Sequence, residues 1–368
     1  MEQYLATTVF GLESVLKNEI SKLGYRIIKT EDGRVIYEGD EKTGCRSSMF
    51  LRTASRIFKI LMEIDCDNFD TFFDSVKKLP WNDIIRKDRT IITKARSRES
   101  KLSSTPVLQA MGKKAIVSQI IEKRDLSKLY EGDGEKEVTI EFSIIKNRLQ
   151  VLLDIGGKSL HKRGYRTEKG LAPLRENLAA GICQLSYHKN IENVIDPFCG
   201  SGTLLIEYCM MKKRMAPGLL TKKANFISDY ITLSQYREVY DEAKSYIIDI
   251  DEFYYGHDID PKTLTACKNN IVRAGLDEDI IISRKDFMKY NIKNENNLIL
   301  SNPPYGKRIG ETKDLLKLYG KLEEMTTYSK NLKFSILTSY ENFRPDKNKI
   351  KNRKLYNGKI KSYLYTSK

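Results

Sequence analysis

Residues 196–203 read Asp-Pro-Phe-Cys-Gly-Ser-Gly-Thr, and this stretch decides the fold of the C-terminal half of the chain. It follows a predicted short strand at 193–195 and precedes a longer apolar run that ends at residue 211. An acidic residue and two glycines between such runs indicate a strand, a tight loop and a helix. About a hundred residues later, 302–306 read Asn-Pro-Pro-Tyr-Gly, directly after another apolar run at 298–300.

The region around these two loops alternates between strands and helices. Helices are predicted at 203–211 and 261–274, and strands at 193–195, 254–257, 280–283, 298–300 and 334–338. This alternation indicates a doubly wound, Rossmann-like α/β sheet. The segments 353–356 and 360–365 then flank Asn357-Gly358, which predicts an antiparallel hairpin at the end of that sheet. A nicotinamide-binding sheet does not need such an ending, whereas class I methyltransferases have one.

The N-terminal half contains two predicted α+β units. The first unit, residues 1–65, alternates strand, helix, strand, strand and helix, and its last helix is predicted over 50–62. The second unit, residues 66–155, has a helix predicted over 109–123 and strands at 90–95, 138–145 and 148–154. A basic, turn-rich linker over 156–170 then leads to the C-terminal domain, residues 171–368.

The composition indicates a class of partner and a compartment. The chain has 368 residues and a formal net charge of +15, which favours a polyanionic partner such as nucleic acid, although a Lys-rich solvated surface would give the same charge. Six cysteines without a Cys-x-x-Cys pair or a Cys/His cluster make a metal site or a disulfide framework unexpected. The longest apolar run, 204–211, is interrupted by Glu207. We therefore predict a cytoplasmic protein with no membrane segment and no metal.

The glycine loop is suited to S-adenosylmethionine. Gly200 and Gly202 should leave room for a ligand at the carboxyl end of the strand. Asp196 ends that strand and is placed to accept hydrogen bonds from the ammonium group of the methionine moiety. A dinucleotide fingerprint would need a third glycine where the chain has Leu205, which disfavours NAD. The predicted cofactor residues in this loop are Asp196, Phe198, Gly200, Gly202 and Thr203.

Further carboxylates follow the next two predicted strands. Asp258 ends one strand and could accept from the two ribose hydroxyls of the cofactor, and Asp286 follows the next and could accept from the adenine amino group. Asp260 lies directly before Pro261 and is better suited to cap the following helix. A capping or solvated role for Asp258 stays open.

The loop at 302–306 is suited to a planar amino group. Two successive prolines donate no backbone N–H, and the residue before a proline is extended, so the loop is stiff and rich in acceptors. The Asn302 side-chain oxygen and the Pro303 carbonyl can accept the two hydrogens of an exocyclic amine, and Tyr305 can stack on its base. We predict catalytic roles for Asn302, Pro303 and Tyr305, and a cofactor contact for Asn302 as well. A rigid proline loop without a chemical role is the alternative.

Several other residues are weaker candidates. Cys199, His188 and His257 have no neighbouring partner in the sequence that suggests catalysis, so we expect structural roles for them. Two basic sets could follow an RNA backbone or form a solvated face. The first comprises Lys94, Arg96, Arg98, Lys101, Lys113 and Lys114, and the second comprises Lys347, Lys349, Lys351, Arg353 and Lys354.

Together with the two loops, four stretches resemble the THUMP-domain class I RNA methyltransferases, in particular the bacterial large-subunit rRNA guanine-N2 methyltransferases. They are Ala-Thr-Thr-Val-Phe-Gly-Leu-Glu at 6–13, Leu-Arg-Thr-Ala at 51–54, Ala-Pro-Leu-Arg-Glu at 172–176 and Leu-Tyr-Asn-Gly at 355–358. The resemblance implies a ferredoxin-like domain over 1–65, an RNA-binding THUMP domain over 66–155 and a methyltransferase domain over 171–368. It also implies that the target is guanine N2 of 23S rRNA, in free RNA or in a precursor particle.

Three alternative functions stay open from the sequence. The same Asn-Pro-Pro-Tyr loop serves adenine N6, so the target could be adenine in RNA or DNA. A non-catalytic RNA-binding ribosome assembly factor could keep this fold, although the intact Asp196, Asn302 and Tyr305 argue against it. A protein glutamine methyltransferase also uses Asn-Pro-Pro-Tyr, but would lack the basic first 155 residues with their two α+β units.

Overall fold

The computed structural model describes residues 1–87, 89–125, 137–156, 159–166, 174–222, 230–290, 296–305, 312–328, 331–358 and 360–368. These residues form two seven-stranded sheets. The strands are β1 (Glu2–Thr8), β2 (Arg26–Glu31), β3 (Arg34–Gly39), β4 (Ala54–Asp65), β5 (Thr90–Arg98), β6 (Glu137–Ile145), β7 (Arg148–Asp154), β8 (Asn193–Asp196), β9 (Phe253–Asp258), β10 (Ile280–Arg284), β11 (Asn297–Ser301), β12 (Lys333–Thr338), β13 (Ile350–Asn357) and β14 (Ile360–Ser367). The α-helices are α1 (Glu13–Lys22), α2 (Thr43–Phe50), α3 (Phe69–Lys78), α4 (Trp81–Ile84), α5 (Thr105–Arg124), α6 (Glu176–Leu185), α7 (Thr203–Lys212), α8 (Leu233–Ser245), α9 (Pro261–Ala274) and α10 (Thr312–Tyr328).

The first sheet joins the two predicted N-terminal units. Its strand order is β2-β3-β1-β4-β7-β6-β5, and β4 pairs antiparallel with β1 on one side and with β7 on the other. Helices α1, α3 and α5 bury apolar side chains in one core with this sheet, among them Leu16, Phe72 and Ile116. The two units are therefore continuous through β4, and the domain boundary at 65/66 stays a prediction.

The helix predicted over 50–62 was wrong, because most of this segment is the strand β4. Ile57 and Phe58 are both buried, one in the main core and the other in a smaller cluster of different residues. The pairing of β4 with β7 shifts register between Ile60 and Met62. Such a bulge interrupts the two-residue alternation of a strand, so the apolar residues recur at a spacing that resembles a helix.

The second sheet confirms the predicted doubly wound fold with an antiparallel ending. Its order is β10-β9-β8-β11-β12-β14-β13, with β14 antiparallel to both of its neighbours and the first five strands parallel. The chain runs outward from β8 to β10 and then returns to β11 on the other side of β8. The strand order therefore reverses between β8 and β11, and this place is the switch point of the sheet. Ligands in such sheets bind beyond the carboxyl ends of the strands at the switch point.

The two halves pack closely against each other. Leu12, at the start of α1, lies in the core that α6 and α7 form with the second sheet. The Arg52 guanidinium donates to the Met215 carbonyl (2.7 Å) near the end of α7. In the predicted linker, Arg163 is buried and its Nε lies 3.4 Å from the buried Glu207 carboxylate. These contacts fix the N-terminal half against the domain that holds the two loops.

Candidate active site

The two loops singled out by the sequence meet at the switch point of the second sheet. β8 ends at Asp196 and β11 ends at Ser301, and these strands are parallel neighbours. The Ser301 hydroxyl donates to Asp196 Oδ1 (2.5 Å), and the Phe198 N–H donates to the same oxygen (3.1 Å). The glycine loop and Asn302 therefore lie at one edge of the sheet, linked by a buried hydrogen bond.

Asp196 is a buried carboxyl group, with 1% of its surface exposed. Its pKa is raised to about 7, chiefly by burial and in smaller part by the nearby Asp258 carboxylate, whereas the hydrogen bonds from Ser301 and Phe198 act in the opposite direction. No described lysine or arginine is among the groups that shift this pKa. A buried carboxylate without a cation is costly, so this position favours a ligand that carries a positive charge.

Different structural features explain why glycine is present at the two positions of the loop. Gly200 has φ +54°, and a Cβ there would find only the Phe198 carbonyl oxygen, at 4.0 Å, so the space beside this glycine is open. Gly202 has φ +80°, and a Cβ there would lie 2.7 Å from the Cys267 Sγ of α9. Packing against Cys267 is therefore a reason for glycine at position 202. The contact of Gly202 with a cofactor stays a prediction.

Carboxylates stand at the ends of three neighbouring strands. Asp258 ends β9, and its two oxygens accept from the N–H groups of Gly200 (3.1 Å) and Asp260 (3.0 Å). Asp286 follows β10 and accepts from the Met288 N–H (2.9 Å) at the start of a short 3₁₀ helix, Phe287–Lys289. With Asp196 at the end of β8, they line the carboxyl edge of the sheet. Asp260 caps α9, as predicted.

Two further predicted residues flank the glycine loop. The Phe198 ring lies against the Phe287 ring, with 4.8 Å between centroids, so these two side chains form an apolar wall beside Asp286. Thr203 is the first residue of α7 and is buried, with its Oγ1 3.1 Å from the Ser201 Oγ. The loop therefore offers an apolar side, a polar side and the open space at Gly200.

Asn302 carries the most unusual polar atom of the site. Its Oδ1 is buried and has no hydrogen-bond partner among the described residues. The loop after it is anchored from behind, because the Tyr319 hydroxyl of α10 lies 3.3 Å from the Pro304 carbonyl oxygen and 2.5 Å from the Thr338 hydroxyl of β12. The Asn302 oxygen is thus held at the switch point as an acceptor without a donor. Tyr305 is half-buried and is the last residue of the described segment 296–305.

Sequence reasoning missed two residues that support the site. Ser301 joins the two loops through Asp196, and the one available signal was a serine between an apolar run and Asn302. Tyr319 anchors Pro304 from α10, a helix that was not predicted, and no local signal marks it. Both partnerships join residues that are far apart in the sequence.

The weaker candidates have structural surroundings. Cys199 is buried, and the neighbouring Cys267 thiol and burial both raise its pKa, which keeps it protonated. His257 is buried with its Nδ1 3.0 Å from the Ser283 hydroxyl, and burial lowers its pKa to about 4. In the parts of the chain that the structure describes, no group of three or more His, Cys, Asp or Glu side chains could hold a metal ion, and no helix is long and apolar enough to cross a membrane.

The first basic set is partly neutralised by nearby carboxylates. Arg96 lies 3.0 Å from Glu141, and Lys101 lies 2.7 Å from Asp67. Arg98 lies 3.4 Å from Glu99. These ion pairs reduce the positive charge that the set presents to a polyanion.

The residues present fit S-adenosylmethionine. The buried Asp196 suits the ammonium group, the open space at Gly200 allows a ligand to approach the backbone, and Asp258 retains lone pairs for hydroxyl donors. With the parallel sheet, the antiparallel β14 and a buried Asn302 acceptor that no described residue satisfies, these features define a class I S-adenosylmethionine-dependent methyltransferase.

Sequence comparison assigns the family within this class. The family described as "RMKL-like, methyltransferase domain" matches residues 163–365, and the "RlmL ferredoxin-like domain" matches residues 3–58. The chain belongs to the RMKL-like methyltransferase family and carries an N-terminal ferredoxin-like domain. The matches support the resemblance noted from the sequence.

Two relatives illustrate the range of chain lengths in this group. "Putative RNA methyltransferase YpsC" of Bacillus subtilis is 33% identical, over 100% of this chain and 97% of its own length. "Ribosomal RNA large subunit methyltransferase K/L" of Vibrio parahaemolyticus is 31% identical, over 87% of this chain and 46% of its own length. This chain therefore spans about half the length of that large-subunit relative.

Solved structures share the whole fold. A "possible methylase" from Clostridium difficile 630 has 36% identity and a TM-score of 0.91, over 100% of this chain and 97% of its own. "SMU.472, a putative methyltransferase complexed with SAH" has 32% identity and a TM-score of 0.88, with 100% and 97% coverage. A "predicted N6-adenine-specific DNA methylase" from Listeria monocytogenes has 32% identity and a TM-score of 0.90, with 100% and 96% coverage. The complex with S-adenosylhomocysteine, the demethylated cofactor, supports S-adenosylmethionine as the cofactor here.

Proposed function

We propose that this protein methylates an exocyclic amine of a base in RNA, and that the base is a guanine of large-subunit rRNA that becomes N2-methylguanosine. The observation that carries the proposal is the buried Asn302 Oδ1, which has no hydrogen-bond partner in the described part of the chain and lies at the same edge as the cofactor loop. A buried acceptor without a donor costs about 1–3 kcal/mol. A substrate amino group is a donor that would offset this cost when it arrives.

The cofactor residues act by position and charge. S-adenosylmethionine supplies an electrophilic methyl group on a positively charged sulfur. Asp196 would pair with the ammonium group, Asp258 would accept from ribose hydroxyls, and Asp286 would accept from the adenine amino group. Phe198 and Phe287 would exclude water from one side of the ligand.

The Asn302 loop makes the substrate amine nucleophilic. The lone pair of an exocyclic base amine is delocalised into the ring, so the amine is a weak nucleophile. The Asn302 oxygen and the Pro303 carbonyl would accept its two hydrogens and favour a tetrahedral nitrogen with a localised lone pair. That nitrogen could then take the methyl group that the bound cofactor would supply, with the thioether as the leaving group and the excess proton on nitrogen released to solvent. Orientation and electrostatic polarisation lower the barrier.

A target base can reach this loop only after it has left its nucleic-acid helix. Tyr305 follows the two prolines and would stack on the target base once it is exposed. A base inside a continuous duplex cannot place its amine at the switch point of the sheet. We therefore expect the target guanine in a loop or a loosened helix.

The charge of the whole chain and the name of one relative support RNA as the substrate. The formal charge of +15 favours a polyanion, and the first relative named above is called an RNA methyltransferase. We infer that residues 66–155 form a THUMP domain that, with the ferredoxin-like domain, binds rRNA or its precursor particle. Such a partner, together with six free and buried cysteines, fits the cytoplasm.

The identity of the base rests on the relatives. The relative named as a large-subunit rRNA methyltransferase favours rRNA as the substrate. The resemblance of this chain's motifs to those of guanine-N2 enzymes favours guanine as the base. Adenine N6 in RNA or DNA is the second candidate, because the Asn302 loop suits either amine and the Listeria relative is named as an adenine-specific DNA methylase. The two candidates share the cofactor and the chemistry and differ in the base.

Methyl transfer with labelled cofactor tests the proposal. Unmodified large-subunit rRNA and genomic DNA are incubated separately with the wild type and with Asn302→Ala. Label should enter the RNA with the wild type and fall by about 10²–10³ in rate with the variant, since one polar contact to the reacting group is lost. A wild type that binds S-adenosylmethionine in a calorimeter but labels neither nucleic acid would refute the proposal, and label in DNA alone would favour the adenine candidate.

A further inference from the structure

A groove of about 460 Å³ lies where three distant parts of the chain meet. One wall is the loop after β1, which carries Phe10, and a second wall is the start of α6, which carries Arg175. The third wall is the tip of the terminal hairpin, with Tyr356 and Gly358. None of these residues belongs to the cofactor loop or to the Asn302 loop.

The groove lies near the edge of the sheet that holds the active site. β13 runs parallel to β12, because both pair antiparallel with β14, so Tyr356 lies near the same edge as Asn302. Helix α6 leads towards the amino end of β8, so its first residues face the opposite, carboxyl edge. β11 and β13 are three strand spacings apart, about 14 Å. A polymer bound at Asn302 can therefore reach the groove.

An aromatic platform forms one side of the groove. Phe10 is 49% exposed, and its ring meets the Tyr356 ring edge to face, with 5.7 Å between centroids. The loop that carries Phe10 is seated tightly, because a Cβ on Gly11 would lie 2.9 Å from the Lys354 carbonyl oxygen. An exposed ring on a fixed loop is suited to stacking on a nucleic-acid base.

Positively charged side chains lie beside the aromatic platform. Arg175 is exposed, and among the described residues its guanidinium makes no ion pair or hydrogen bond. His161, joined to the groove residue Ser55 through Ser159, has a pKa lowered to about 4 by burial and by surrounding cations, of which Arg175 is the first. Lys354 also places its ammonium group 5.2 Å from the Tyr356 ring centre. The charge complements a phosphate backbone.

We propose that this groove is a second RNA contact site, where a base close to the target nucleotide stacks on Phe10 and Tyr356 and its phosphate pairs with Arg175. The inference rests on the proposed function, in that the occupant is the RNA substrate. The occupant is single-stranded there, because a base within a duplex cannot stack on a side chain. The groove thus helps to hold the strand whose target base enters the Asn302 loop.

The test compares Phe10→Ala and Arg175→Gln with matched controls far from the groove. Phe253→Ala removes a ring that is 55% exposed at the amino end of β9, and Arg273→Gln removes an exposed charge from α9. The dissociation constant of an unmodified 23S rRNA transcript is measured by fluorescence anisotropy at several salt concentrations. The kcat and KM for the same transcript and the S-adenosylmethionine affinity are measured alongside.

Phe10→Ala should raise the dissociation constant and the KM for RNA by about 5- to 150-fold, the range for one stacked base, with kcat and cofactor affinity unchanged. Arg175→Gln should lower the slope of log affinity against log salt by about 1, and both controls should match the wild type. Wild-type RNA affinity in Phe10→Ala would refute the proposal that the groove is an RNA contact site. A loss of S-adenosylmethionine affinity in Arg175→Gln would show that Arg175 contacts the cofactor instead of RNA. A wild type that methylates no RNA would refute the proposed function, while the binding constants would still decide the groove.

Discussion

Replacing Asp196 with asparagine should stabilise the protein in the absence of cofactor and weaken cofactor binding. Asp196 is buried, and the groups that shift its pKa include no described cation. Asparagine keeps an oxygen that can accept from Phe198 and Ser301 but carries no charge. The substitution therefore removes the cost of burying a charge and also removes the partner of the cofactor's ammonium group.

The magnitude follows from the pKa. The pKa of Asp196 is about 7 in the folded protein and about 3.9 in an unfolded chain, a difference that corresponds to about 4 kcal/mol. Because the folded pKa is raised, the folded state holds an extra proton between about pH 4 and pH 7, and wild-type stability falls as the pH rises through this window. The gain from Asp196→Asn should be about 1–2 kcal/mol at pH 5 and about 4 kcal/mol at pH 8. An unpartnered amide group would subtract about 1–3 kcal/mol at both pH values, so the pH difference is the sharper quantity.

Thermal unfolding without cofactor at pH 5 and pH 8 measures this difference. The melting-temperature gap between Asp196→Asn and the wild type should be about 5 °C larger at pH 8 than at pH 5, at about 2 °C per kcal/mol for a chain of this size. Asp260→Asn is the matched control. Hydrogen bonds from Thr263 and the Lys262 backbone lower the pKa of the exposed Asp260, so it stays ionised over this range and its gap should not change with pH. An Asp196→Asn gap that is equal at both pH values would refute the reasoning.

Three further predictions test other parts of the site and its support. Asn302→Ala should lower single-turnover methylation by about 10²–10³ and leave the calorimetric affinity for S-adenosylmethionine within a few-fold, and turnover near that of the wild type would contradict the role of the loop. Gly202→Ala, which places a Cβ 2.7 Å from Cys267, should lower stability by about 1–3 kcal/mol more than Gly275→Ala, where no atom lies within 4 Å, and equal melting temperatures would show that packing is not the reason. Arg163→Ala should cost about 3–5 kcal/mol in denaturant unfolding because it leaves the Glu207 charge buried, and Arg163→Ala combined with Glu207→Leu should recover part of that loss.

Local signals predicted the elements next to the site well. Helix α9 occupies the residues predicted for it, because the Asp260 cap, Pro261 and Gly275 mark both of its ends. The hairpin of β13 and β14 followed from Asn357-Gly358 in the same way. These signals act over a few residues, so the sequence displays them directly.

Interactions over long sequence distances were not predictable in this way. Ser301 and Asp196 are 105 residues apart, and Arg163 and Glu207 are 44 apart, so the sheet topology must be known before either pair is visible. Helix α6 was missed because eight of its ten residues are buried, which removes the polar face on which helical periodicity depends.

Identification of the modified nucleoside tests the central claim most directly. Large-subunit rRNA from a strain that lacks this protein is incubated with the purified enzyme and labelled S-adenosylmethionine, digested to nucleosides and separated by mass. We predict that the label appears in N2-methylguanosine and that Asn302→Ala abolishes it. Label in N6-methyladenosine, or in DNA and not in RNA, would contradict the guanine assignment, and no label in any nucleoside with the cofactor bound would contradict the claim of amino methylation.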